Sequence, residues 1–236
     1  MNRGVIDIGN TRVKAAVFNT DGLLLEKTFC ASQAEATDWM RTKGIVSVMA
    51  ASVGQAILPP ERGLNLISLT HESKLPFENL YDSPETLGVD RIAAMAAASV
   101  KYPSDAVLVF DIGTCMTIDL LHPGKVYKGG NISPGLDMRL KAMHQMTGRL
   151  PLADRSEAVK SFGRSTRSAI ASGAVSGMQF EIEGYIRRYS AMYPELITVL
   201  CGGDHMHFEF PSENRIFADP NFVLQGLFHL LLLNEK

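Results

Sequence analysis

The sequence predicts an α/β fold with mixed sheets, built twice over. Two observations carry this. First, Val5-Ile6-Asp7-Ile8-Gly9-Asn10-Thr11 returns as Val109-Phe110-Asp111-Ile112-Gly113-Thr114, with the apolar pair and the Asp-Ile-Gly intact and the threonine one place earlier. Each apolar pair reads as the end of a buried strand, and each glycine as a turn into the next strand, at 12–18 or 116–121. Second, strand hairpins are followed by helix-linked, continuous apolar runs of strand length, the pattern of strands covered on both faces. Glycine in such a turn permits φ > 0 and lets backbone N–H groups approach a ligand. A carboxylate just before it suits a cation–phosphate complex. A single Asp-Gly turn is equally well ordinary turn chemistry. Two copies in matching strand context point to a duplicated fold with a shared phosphate cleft.

Residues 3–7, 12–18 and 23–29 read as three successive strands, joined by Gly9-Asn10 and by a hairpin turn at Asn19-Thr20-Asp21-Gly22. Helical spacing over 33–43 ends at Gly44, and 45–51 is a continuous apolar run. Pro59-Pro60 interrupts the chain before a strand at 64–69. Residues 70–87, with Pro76 and Pro84, read as a long surface loop, and loops of that length tend to carry function. The loop leads to Gly88-Val89-Asp90-Arg91, which opens an alanine-rich helix over 92–102. Capping and the helix dipole account for an acid at that position but not for the arginine, so a ligand role stays open beside the capping one.

The second half opens with strands at 106–111 and 116–121, turns at Pro123-Gly124, and passes Val126-Tyr127 into the loop Gly129-Gly130-Asn131-Ile132-Ser133-Pro134-Gly135. A Gly/Pro-rich loop ahead of a helix leaves the first N–H groups open to an anion, or is simply a tight connection. The helix over 136–146 turns Leu136, Leu140 and Met143 to a buried face, and 151–162 reads as polar loop. Ser165-Thr166 caps a long helix reaching about Tyr193, whose Gly173 and Gly177 allow close approach of a helix from this chain or a second subunit. A short strand at 197–200 ends in Cys201-Gly202-Gly203-Asp204, a turn that suits a base or ribose. Asp219-Pro220-Asn221 starts the last helix, with proline in its first turn. Its apolar stretch, 224–233, falls far short of the ~20 residues of a membrane span. The halves are expected at 1–105 and 106–236.

A chain of 236 residues, 46% of them hydrophobic, holds enough material for a large core. The net charge of −2, with acids and bases interspersed, gives no basic stripe, so neither nucleic acid nor membrane is an expected partner. Three scattered cysteines, Cys30, Cys115 and Cys201, argue for a reducing compartment over a disulfide framework. The N-terminus enters Gly4-Val5-Ile6 at once and leaves no room for a signal peptide, so a cytoplasmic protein is expected.

No Gly-x-x-x-x-Gly-Lys-Ser/Thr loop, Gly-x-Ser-x-Gly elbow or His-Glu-x-x-His is present. Cys201, His205 and His207 have loosely metal-like spacing, but no second cluster completes a zinc site. Cys115 reads better as a small buried residue than as a nucleophile. What remains is a set of parts that phosphoryl transfer needs: carboxylates beside glycine turns, hydroxyl donors, and further Gly-rich turns.

The ordered set Asp7-Ile8-Gly9-Asn10-Thr11, Gly88-Val89-Asp90-Arg91, Asp111-Ile112-Gly113-Thr114, Gly129-Gly130 with Pro134-Gly135, Ser165-Thr166 and Gly202-Gly203-Asp204 resembles the type III pantothenate kinases over nearly the whole chain. That resemblance implies the acetate and sugar kinase/Hsp70/actin superfamily: two duplicated ribonuclease-H-like (actin-like ATPase) halves with mixed sheets around a central ATP cleft. It implies ATP-dependent phosphorylation of pantothenate to 4′-phosphopantothenate, the first step of coenzyme A biosynthesis. Asp7, Ile8, Gly9, Asn10, Thr11, Arg12, Val13 and Lys14 would hold ATP, with Asp7 in the Mg²⁺ region, and Thr114 would also contact ATP. Tyr81, Gly88, Val89, Asp90, Arg91 and Thr166 would contact pantothenate. Asp90 would be the general base, and Arg91 would pair with the substrate. Asp111 would bind a monovalent cation, K⁺ or NH₄⁺. The family's homodimer would place the pantothenate pocket at or near the subunit interface. Ile112 and Cys115 stand where the common family form has alanine, and Cys201 where it often has threonine. Two other readings remain: a kinase or phosphatase of the same superfamily acting on a sugar or another hydroxylated acid, and a nucleotide-binding accessory protein without catalysis. The Gly-x-Asp-Arg motif disfavours the first, and the three aspartates disfavour the second.

Overall fold

The computed structural model describes every residue except Thr11, 55–62, Glu209, 211–214 and Lys236. In chain order the elements are β1 (Arg3–Ile8), β2 (Val13–Phe18), β3 (Leu24–Cys30), α1 (Gln33–Thr42), β4 (Ser47–Ser52), β5 (Asn65–Ser68), β6 (Glu78–Asn79), α2 (Val89–Lys101), β7 (Val107–Ile112), β8 (Cys115–His122), β9 (Val126–Pro134), α3 (Leu136–Gln145), α4 (Thr166–Ser190), β10 (Ile197–Cys201), β11 (Ile216–Ala218) and α5 (Phe222–Asn234). They form two sheets, ordered β3-β2-β1-β4-β5 and β11-β10-β7-β8-β9-β6. The first is mixed: β1 pairs antiparallel with β2 and parallel with β4. In the other sheet β10 runs parallel to both β7 and β11.

The chain divides into two compact units: Met1–Asp105 with Leu120–Gly129 and Asn221–Lys236, and Ala106–Asp119 with Gly130–Pro220. Residues 120–129 and 221–236 cluster with the first unit. The reason is packing. α5 is apolar almost all round, with Phe222, Leu227, Leu230 and Leu231 fully buried, and it lies against α2, β1 and β4. Phe228 stacks on Phe18 of β2, ring centroids 4.9 Å apart. A helix this apolar must bury most of its surface, and the first unit's sheet and α2 supply cover for it.

Within the first unit, β1 is buried at Val5, Ile6 and Ile8, and α1 lays Ala36 and Met40 into the same core. Ser32 caps α1 by accepting the Glu35 N–H. In the second unit, Ser165 caps α4 through a reciprocal capping box with Ser168.

Several sequence expectations change. The stretch 129–135 is not a loop, because residues through Pro134 continue β9. Gly130 and Gly135 are there for close approach. A Cβ at 130 would overlap the Ile118 carbonyl, and one at 135 would lie 2.5 Å from the Thr114 carbonyl oxygen. The loop over 70–87 contains β6 and a 3-10 turn at Pro84–Thr86. The polar stretch 151–162 holds a 3-10 turn at Arg155–Glu157 with its own capping box from Asp154. Pro220 precedes the N-cap of α5, Asn221, instead of occupying its first turn. α4 ends at Ser190, and a Cβ at Gly173 or Gly177 would meet nothing within 4 Å, so neither glycine brings a second helix of this chain close. The Pro59-Pro60 break lies outside the described residues. No helix among the described residues is long and apolar enough to cross a membrane.

Candidate active site

The two Asp-Ile-Gly turns differ by one residue in the same way as their sequences do. Gly9 N–H donates to the Arg12 carbonyl at 3.1 Å, whereas Gly113 N–H donates to the Cys115 carbonyl at 2.9 Å. The second turn is thus one residue tighter, which is why its threonine comes one place earlier. Neither glycine adopts a positive φ, so the conformational reason expected for them does not apply. What they share is a bare backbone: a Cβ at 113 would come no closer than 3.9 Å to the chain, and one at 9 would be 3.3 Å from the Arg12 carbonyl oxygen.

At the end of β1, Asp7 is only 8% exposed. Lys14, its cross-strand partner in register, places Nζ 3.3 Å from Asp7 Oδ2. A carboxylate this buried needs a cationic or hydrogen-bonding partner, and Lys14 supplies one. Ile8 and Val13 turn their side chains into the hydrophobic core, so toward a ligand each offers only its backbone. Asn10 is exposed, and Arg12 lies over the Phe29 ring at 5.6 Å. Thr11 lies outside the described residues.

The first turn of α2 gathers most of the residues expected to contact pantothenate. Gly88 is the N-cap, and a Cβ there would be 2.5 Å from Asp90 Oδ1. Its absence lets the Asp90 carboxylate fold back and accept the Arg91 N–H at 2.9 Å. A carboxylate at a helix N-terminus is favoured by the dipole and by such bonds, so capping is real here. Arg91 is buried, with 4% of its surface exposed. Its Nη2 donates to the Tyr127 hydroxyl at 2.8 Å, and its guanidinium lies 5.4 Å over the Tyr81 ring. Tyr81 and Tyr127 stack with centroids 6.1 Å apart and planes 14° from parallel. Asn79 fixes Tyr81 by accepting its N–H at 3.1 Å. Tyr81, Asp90 and Arg91 are named from the sequence, but Tyr127 is given no role there, where Val126-Tyr127 simply leads into the glycine-rich stretch. The one local signal for it was an aromatic beside a glycine pair.

In the second unit, Asp111 ends β7, level with Cys201 of β10. Gly202, with φ +87°, passes so near that a Cβ would be 2.5 Å from Asp111 Oδ1, and Asp204 N–H donates to the Ile112 carbonyl at 3.0 Å. Cys201-Gly202-Gly203-Asp204 therefore wraps the end of β7 instead of standing apart from it. Ile112 and Cys201, two departures from the common family form, bury their side chains at 0% and 1% exposure, so they alter packing and not the exposed donor set. Cys115, the third, is half-buried at the start of β8. Thr114 is exposed beside the backbone of Gly135, and Thr166 is exposed as the first residue of α4.

Arg155 clamps this region. It donates to Asp204 at 2.8 Å and to Asp137 at 2.5 Å, with His207 Nε2 3.0 Å from Nη1. Burial alone would lower the Arg155 pKa, but the hydrogen bonds and charges of Asp204 and Asp137 outweigh it and raise it. His205 Nδ1 lies 2.7 Å from the Gly202 carbonyl. Both histidines thus have local structural partners. Among the described residues no group of three or more His, Cys, Asp or Glu could hold a metal ion.

The profile described as type III pantothenate kinase matches residues 5–188. This chain belongs to the type III pantothenate kinase family. It is 39% identical to the type III pantothenate kinase of Phocaeicola vulgatus over 98% of each chain, and 39% identical to that of Christiangramia forsetii over the same share. Among solved structures, a Baf family transcriptional activator from Campylobacter jejuni superposes with a TM-score of 0.63 at 20% identity, covering 97% of both chains. The ethanolamine utilization protein EutJ from Carboxydothermus hydrogenoformans gives 0.54 at 14% identity, covering 99% of this chain and 90% of that one. These distant likenesses concern the fold, which is the duplicated ribonuclease-H-like, actin-like ATPase architecture.

Proposed function

We propose that this type III pantothenate kinase family member transfers the γ-phosphoryl group of ATP to the primary hydroxyl of pantothenate, giving 4′-phosphopantothenate and ADP at the start of coenzyme A biosynthesis. The observation that carries the reading is the first turn of α2. There a carboxylate held on a backbone N–H, Asp90, stands next to an arginine fixed by two tyrosines. Asp90 takes the hydroxyl proton as the oxygen attacks phosphorus and the β–γ bridging P–O bond breaks. Arg91, Tyr81, Gly88, Val89 and Thr166 contact pantothenate. Segment 7–14 and Thr114 hold ATP, Ile8 and Val13 through backbone groups only.

Asp7 is a single buried carboxylate next to an open glycine turn, and this fits Mg²⁺. That ion characteristically takes one or two carboxylates and keeps phosphate oxygens and water as its other ligands. When bound it would neutralise phosphate charge. Asp111, half-buried beside the Gly202 and Ile112 backbone, suits a monovalent cation, K⁺ or NH₄⁺. The protein works in the cytoplasm as a homodimer. In support of the dimer, α4 leaves Gly173 and Gly177 uncovered and Phe180 67% exposed.

The test is a coupled assay with ATP, Mg²⁺ and pantothenate, run with and without K⁺ or NH₄⁺. Wild type turns over, and omission of the monovalent cation reduces the rate. Asp90→Asn lowers kcat by about 10²–10⁴-fold while the melting transition and ATP binding persist. Near-normal kcat in Asp90→Asn removes the base assignment, and absence of wild-type turnover removes the reaction.

A further inference from the structure

We infer that Tyr127 is a positioning residue that acts through Arg91, aiming its guanidinium at the carboxylate of the substrate. The inference rests on the reading of Arg91 as a pantothenate contact.

Tyr127 has no solvent exposure, so its hydroxyl must be satisfied inside the protein. It accepts from Arg91 Nη2 at 2.8 Å. Its ring is held on two sides. Phe77 meets it edge-on at 6.1 Å and 81°, and Tyr81 stacks on it at 6.1 Å. Its backbone is pinned as well, because Asn79 lies in register with it and Leu80 N–H donates to its carbonyl at 2.8 Å. Gly129, two residues on, takes φ +124°, a conformation that side-chain-bearing residues rarely adopt, and lies against the Tyr81 ring.

The consequence for Arg91 is geometric. A guanidinium is a rigid planar fork, and carboxylate recognition depends on the direction of that plane. One nitrogen is tied to a phenol fixed by a strand, and one face lies on the Tyr81 ring. The first constrains the rotation of the fork and the second its tilt. Neither the first turn of α2 nor the bond from Asp90 to the Arg91 N–H could set them alone, because the arginine side chain has several rotatable bonds. Such pre-organisation lowers the entropy lost on binding, so it belongs in substrate affinity more than in the phosphoryl-transfer step.

The test is Tyr127→Phe, which removes one oxygen and keeps the ring, measured alone and with Arg91→Lys. Pantothenate affinity is read by titration calorimetry and by KM, ATP affinity by KM, and fold by thermal melting. We expect KM and Kd for pantothenate to rise about tenfold, the scale of one hydrogen bond to a charged group. The KM for ATP should move less than twofold. In the Arg91→Lys background the same substitution should have little further effect, because a residue acting through Arg91 is non-additive with it. An equal rise in both backgrounds, a fall in kcat with KM unchanged, or loss of the cooperative melt would assign Tyr127 a structural role and overturn the inference. Unchanged pantothenate affinity would overturn it too. Wild-type turnover without any Tyr127 effect sinks this inference alone, whereas absence of wild-type turnover sinks the reading beneath it.

Discussion

Gly226→Ala offers a direct test of how α2, which begins with Asp90 and Arg91, is held in place. On α5, Gly226 lies so close to α2 that a Cβ would overlap the Ala93 carbonyl oxygen and sit 2.6 Å from its carbonyl carbon. Backbone in the middle of a buried helix cannot swing aside as a side-chain tip can. Alanine gains about 1 kcal/mol of helix propensity over glycine. Overpacking costs about 1–3 kcal/mol, toward the upper end when the obstacle is backbone. The net expectation is a loss of about 2 kcal/mol. For a chain of this size that lowers Tm by about 4–8 °C. Ala93 is one turn beyond Asp90, so a displaced α2 should also slow pantothenate phosphorylation. Circular-dichroism melting and the kinase assay on the same preparation measure both effects. Gly148→Ala is the control. With nothing within 4 Å of the new methyl, it should leave Tm unchanged. A Gly226→Ala protein that melts at or above the wild-type temperature would refute the tight α2–α5 contact.

Two further outcomes follow from particular contacts. Gly129→Ala forces a side chain into φ +124° and against the Tyr81 ring, so urea denaturation should show about 1–3 kcal/mol lost; an unchanged midpoint would contradict the strained turn. Burial lowers the pKa of His229 on α5, so the folded chain prefers the neutral ring. Its contribution to stability is complete above the unfolded value, about pH 6.5, and is lost as the pH falls from there through the lower folded value. His229→Gln should therefore flatten the dependence of urea stability on pH below about 6.5; identical pH profiles for the two proteins would show that His229 does not titrate in this way.

Much of the fold was legible because its signals are local. The Asp-Gly hairpin, the Ser165 cap of α4 and the apolar runs of β1, β4 and β7 depend on residues near one another in the chain, and all of them stand in the structure. The proposed site residues Asp7, Asp90, Arg91 and Asp111 lie in motifs legible for the same reason, since each sits near a turn or a helix start, while their proposed roles rest on the family resemblance. Gly130 and Gly135 misled because a glycine needed for close approach looks, in sequence, like a glycine needed for a loop. Tyr127 was given no role because its one local signal, an aromatic near a glycine pair, does not show what it touches. Its contacts are Arg91, Tyr81 and Phe77, which the fold delivers from other elements.

By itself the sequence determined that the chain is an α/β protein with two repeated Asp-Ile-Gly turns and an Asp-Arg helix start, because strand periodicity, turn chemistry and motif order need no knowledge of distant contacts. The tertiary structure alone decided which surfaces close on one another. It packed α5 against α2 and β1, tightened the second turn by one residue, wrapped Gly202 over the end of β7 and buried Arg91 against Tyr81 and the Tyr127 hydroxyl. Those outcomes depend on burial and on backbone approach between segments far apart in sequence, where an apolar helix or a lone tyrosine states that it must be covered but not by what.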